Sequence, residues 1–62
     1  SQLSEREAQV AKLVAGGASN KEIAGQLSIT ERTVKAHLSA VFEKLGLRDR
    51  LQLSLKINGL SI

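Results

Sequence analysis

In the stretch ERTVKAHLSAVFEKLG, residues 31–46, the side chains able to do chemistry are Arg32, Lys35, His37, Lys44 and the hydroxyls of Thr33 and Ser39. Wound into a helix at 100° per residue, the same stretch carries an apolar stripe of Val34, Leu38, Val41, Phe42 and Leu45. If that stripe points inward, Arg32, Ala36, Ser39 and Glu43 point outward, with Lys35 on one flank and Thr33, His37 and Lys44 on the other. Arg and Lys can donate to the acceptor atoms of guanine in the major groove, and an alanine methyl can touch a thymine methyl. Small residues at 36 and 39 let the backbone approach, where a bulky side chain would hold it off. Glu43 lies about two turns along, where a carboxylate beside a phosphate would be unfavourable, so it marks where such a contact ends. The bland alternative is a solvated charged face.

The elements that must position these residues are written in their caps. In LSERE, Ser4 is an N-cap with Glu7 three residues on and Leu3 as a staple, and Gly16-Gly17 closes the helix. SNKE repeats the device with Ser19 and Glu22. Thr30 caps the third helix, Glu31 favours its positive end, and Gly46 supplies the left-handed residue that stops it. Asp49 and Gln52 form a fourth cap pair. The spacing therefore predicts an all-α fold, a four-helix compact domain with a central helix-turn-helix and helices over residues 5–15, 20–27, 31–45 and 50–58. Val10, Leu13 and Val14 form the apolar stripe of the first helix, and Ile23, Ala24 and Leu27 that of the second.

LQLSLKI in the last helix alternates with period two, which alone would read as a strand, but a lone strand here would have no partner. On a helix, Leu51 and Leu55 share one side and Leu53 and Ile57 nearly the opposite one. One side can pack on the core. The other, assigned to Leu51 and Leu55, is a candidate contact with a second copy, the alternative being that one of them reaches round to a loop. Two leucines per chain make a small contact, which predicts a free monomer at micromolar concentration and dimerisation assisted by DNA.

A short helix, a turn at Ser28-Ile29-Thr30 and a longer helix make a helix-turn-helix arrangement, though without the glycine such turns often contain. In its DNA-binding form the second helix lies in the major groove. Exposed N–H groups at Ser19-Asn20-Lys21 and at Thr30 would favour a phosphate, and Lys21, Thr33, His37 and Lys44 add side-chain donors. Capping alone explains Ser19 and Thr30 equally well, and the two roles are compatible.

Composition narrows the classes. The chain has 62 residues, a net charge of +3, no Cys, no Pro, no Trp or Tyr and one Phe. A domain of this size buries only about 60% of its unfolded surface, so packing must be efficient or a partner must help. A +3 charge permits a polyanionic partner without requiring it. The lack of aromatics argues against base-stacking platforms for single strands. One His and no Cys leave nothing to build a metal site on, and no cofactor or small-molecule ligand is expected. No apolar run approaches the roughly 20 residues of a membrane span. There is no nucleophile–base pair, paired carboxylates or phosphate loop, and His37 has no partner, so an enzyme is not expected.

Residues 3 to about 57 resemble the LuxR/NarL/FixJ-type, or GerE-like, helix-turn-helix domain, on LSERE, G-ASNKEIA, L-I-TVK-H and KLG followed by RDR. The resemblance implies the DNA-binding domain of a bacterial transcription regulator, most often a response-regulator output domain, working in the cytoplasm at the nucleoid. The chain, residues 1–62, is then expected to be one domain, a C-terminal piece of something longer. Family pattern implies base contacts from Arg32, Lys35, Ala36 and Ser39, and phosphate contacts from Ser19, Asn20, Lys21, Thr30, Thr33, His37 and Lys44. It implies a homodimer on double-stranded DNA through the last helix at Leu51 and Leu55, and a structural Glu7 paired with an Arg of RDR. The rival from another class is a protein-interaction domain that contacts RNA polymerase or a partner regulator through the last helix.

Overall fold

A computed structural model describes residues 2–59. They form four helices, α1 (Glu5–Ala15), α2 (Asn20–Leu27), α3 (Glu31–Leu45) and α4 (Arg50–Asn58), with no strand among the described residues. The expected all-α architecture and helix bounds are borne out. At the start of α1 the Ser4 hydroxyl accepts from Glu7 N at 3.2 Å while Ser4 N donates to Glu7 Oε1 at 2.9 Å. Ser19 and Glu22 repeat this reciprocal pair at 3.1 and 2.8 Å. Each pair satisfies two backbone donors that a helix start would otherwise leave orphaned. Asp49 accepts from Gln52 N at 2.9 Å, but Gln52 Oε1 reaches one residue beyond the cap, to Arg48 N at 2.7 Å.

The core is built from Val10, Ala11 and Val14 of α1, Ile23 and Ala24 of α2, Val34, Leu38 and Val41 of α3, and Leu53 of α4. Leu13, Leu27, Ile29, Phe42, Leu45 and Leu47 are partly buried around it. α1 is the central element: it packs against α3 and α4 and touches α2, while α2 packs on α3. In α1 the expected Val10, Leu13 and Val14 face the core, Leu13 partly buried against it, and Ala11 joins them fully buried. One correction follows. In α4 only Leu53 is buried, and Ile57, expected on the same side, remains 40% exposed. The reason is length: Asn58 Nδ2 donates to the carbonyl of Ala15, the last residue of α1, at 3.1 Å, so Ile57 stands where α1 runs out.

The turn between α2 and α3 works without glycine. Ser28 takes the left-handed conformation itself (φ 57°, ψ 43°), and Ile29 N donates back to Ala24 O at 3.0 Å. Ile29 then packs on the core, which fixes the angle at which α3 leaves.

Candidate nucleic-acid interface

α3 owes its orientation to Val34, Leu38 and Val41, all buried, which turn the other side of the helix to solvent. Arg32, Lys35, Ala36 and Ser39 are all exposed, on the outer side and its flank. The sequence-predicted readers are thus brought together along the first three turns, and Glu43, further along, is exposed as well. Thr33 and His37, on the other flank, are half-buried.

Thr30 caps α3 without a reciprocal glutamate. Its Oγ1 accepts from Thr33 N at 3.1 Å and lies 2.9 Å from Thr33 Oγ1. One hydroxyl hydrogen serves that pair, so the second remains for an acceptor outside the protein. At the start of α2, Ser19 and Lys21 are exposed and Asn20 is half-buried. Ser19 is engaged in its capping pair, whose backbone and hydroxyl donors hold the Glu22 carboxyl below the usual carboxylate range.

Lys44 is placed differently from the rest. Its Nζ lies 2.7 Å from Glu7 Oε1 in the one ion pair among the described residues. This corrects the expected pairing of Glu7 with an Arg of RDR. Lys44, on the inner flank of α3, faces the start of α1, whereas Arg50 turns to α2, where Nη1 donates to Asn20 Oδ1 at 2.6 Å and Nη2 to Ala18 O at 2.8 Å. The hydrogen bond from Lys44, helped by the backbone donor of Ser4, holds the Glu7 carboxyl below the usual carboxylate range against the opposing effect of burial. The Arg50 contacts bridge 30 and 32 residues, and no local spacing signal announced them.

On α4, Leu51 is 68% and Leu55 41% exposed, forming an uncovered apolar row on one side, while Ile57, 40% exposed, stands on nearly the opposite side. Among the described residues no cluster of His, Cys, Asp or Glu could hold a metal ion, and no helix is long and apolar enough to cross a membrane.

A capped helix-turn-helix whose outer helix shows basic and small side chains is a nucleic-acid-binding geometry. The family model described as bacterial regulatory proteins, luxR family, matches residues 1–57. The chain belongs to that family. This LuxR-type domain is 50% identical over 54 residues to the uncharacterized transcriptional regulatory protein YhcZ of Bacillus subtilis, covering 87% of the chain and 25% of that protein. It is 48% identical over 50 residues to the response regulator protein VraR of Staphylococcus aureus, covering 81% of the chain and 24% of that protein. With the Fimbriae Z protein of Salmonella typhimurium it shares 47% identity over 51 residues, 82% of the chain and 24% of that protein. The chain spans about a quarter of the length of these relatives. A LuxR-type domain of transcription regulators supports DNA as the partner.

Proposed function

We propose that this domain binds double-stranded DNA sequence-specifically, with α3 in the major groove, as the output part of a longer bacterial response regulator acting at the nucleoid. The observation that carries the reading is the outer face of α3: exposed Arg32, Lys35, Ala36 and Ser39 opposite a buried Val34–Leu38–Val41 stripe. Arg32 and Lys35 donate to base acceptors, while Ala36 and Ser39 allow close approach. Phosphates are held by Ser19, Asn20 and Lys21 at the start of α2 and by Thr30, Thr33 and His37 along the edge of α3. Lys44 serves Glu7 first, which gives it a structural role ahead of a phosphate contact. The length of the relatives, one of them named a response regulator, supports a further domain outside this chain.

The exposed Leu51 and Leu55 support a dimer on a two-fold site. The same row favours a second reading, a contact with RNA polymerase or a partner regulator, which can coexist with the first. Selection of binding sites from a random duplex library with this chain tests both. A two-fold motif with half-sites about one helical turn apart is expected. A single half-site would keep the reading by α3 and reject the dimer role of Leu51 and Leu55. No enrichment at low salt would sink the DNA reading and leave the protein contact.

A further inference from the structure

Arg50 belongs to α4 by sequence, yet its guanidinium works at the start of α2. It donates to Asn20 Oδ1 and to Ala18 O in a half-buried position. A guanidinium has donors and no acceptor, so the end of the Asn20 amide that meets it must be the oxygen. The amide is planar, with oxygen and nitrogen on opposite sides of the same carbon. Fixing Oδ1 on Arg50 therefore turns Nδ2 the other way, and among the described residues Nδ2 donates to no protein group. Asn20 is the first residue of α2, between the exposed Ser19 and Lys21. Its amide nitrogen is a donor held ready beside the end of α2 already assigned to phosphate.

We propose that Arg50 is a positioning residue for DNA binding: it turns the Asn20 amide so that Nδ2 donates to a phosphate oxygen. This rests on the DNA reading above. Arg50 acts through Asn20 and contributes no charge to the phosphate itself. A free asparagine amide can present either end, so fixing the donor end toward the phosphate spares DNA binding the cost of selecting it.

The test is binding of a fluorescein-labelled, random-sequence duplex across a salt series, with thermal unfolding of each protein alongside. N20A should weaken binding about fivefold, the scale of one hydrogen bond, and R50A less, about twofold, the scale of choosing one of two amide orientations. The double variant R50A/N20A should bind no more weakly than N20A, because the effect of Arg50 passes through Asn20. The salt slope of R50A should equal that of the wild type, since no phosphate-neutralising cation is lost. R50K, which keeps the charge but cannot span both acceptors, should fall between R50A and the wild type. Unchanged binding by R50A, a further loss in the N20A background, or a slope lowered by about one unit would each overturn the proposal. Should R50A unfold at the assay temperature, R50K decides: it keeps the charge but cannot hold both acceptors, so it should stay folded, bind more weakly than the wild type and add no loss in the N20A background. R50K bound as tightly as the wild type would overturn the proposal. No binding by the wild-type chain overturns the DNA reading with it, whereas wild-type binding with additive losses overturns the role of Arg50 alone.

Discussion

Lys35 and Lys21 are both exposed and carry the same charge, but they stand in different relations to a duplex. Lys35 lies on the flank of α3 that would enter the groove, so its donors can discriminate between bases. Replacing it by Ala is expected to lower affinity for the selected site about tenfold or more while changing random-DNA binding little. Equal losses on both duplexes would refute base reading by this residue. Lys21 sits at the start of α2, where the backbone of a strand would pass. Its replacement by Ala should weaken all sequences alike and reduce the salt slope by about one unit, and an unchanged slope would count against a phosphate contact. Lys44 shows how charge alone misleads at this scale. It carries the same ammonium, but Glu7 takes it at 2.7 Å.

At the scale of an element, the turn before α3 deserves comparison with the ends of α3 and α4. Both of those helices stop at a glycine in the left-handed region, Gly46 at φ 69° and Gly59 at φ 66°. α2 stops at Ser28 with φ 57°, the one described residue other than glycine with positive φ. A side chain there crowds the following carbonyl, a strain of about 1–2 kcal/mol that glycine lacks, partly offset by the greater freedom glycine loses on folding. Ser28→Gly should therefore raise stability by about 0.5–1 kcal/mol in urea unfolding. A fall in stability would show that the Ser28 side chain makes a contribution of its own. That the turn must rest on Ser28, Ile29 and Thr30 was legible from the lack of glycine. Which of the three carries the left-handed conformation was not, because that depends on where the last α2 carbonyl finds its donor. The two serine–glutamate helix starts were legible, since a serine hydroxyl and a glutamate three residues on meet within one turn whatever the rest of the chain does.

For the whole molecule, Glu7 joins the start of α1 to the last turn of α3 through Lys44, closing the scaffold behind the outer face of α3. Its carboxyl is held below the usual carboxylate range in the fold, so the stability it contributes is full above that range and is lost as pH falls through the lowered value. Glu7→Gln keeps an acceptor for Ser4 N and loses the ion pair. The unfolding midpoint of the wild type should exceed that of E7Q at neutral pH, and the gap should close as pH falls below the carboxylate range. A gap independent of pH would mean that the carboxylate charge contributes nothing. Glu22, lowered by Ser19, acts in the same direction in both proteins and cancels from the difference. The sequence by itself determined the four helices and the outward face of α3, because caps and stripes are set by residues three or four apart. Tertiary structure alone decided that Glu7 meets Lys44, 37 residues away, that Arg50 meets Asn20, 30 residues away, and that Ile57 stays exposed where α1 runs out. Long side chains take whatever acceptor helix packing brings within reach, and no local spacing encodes that distance.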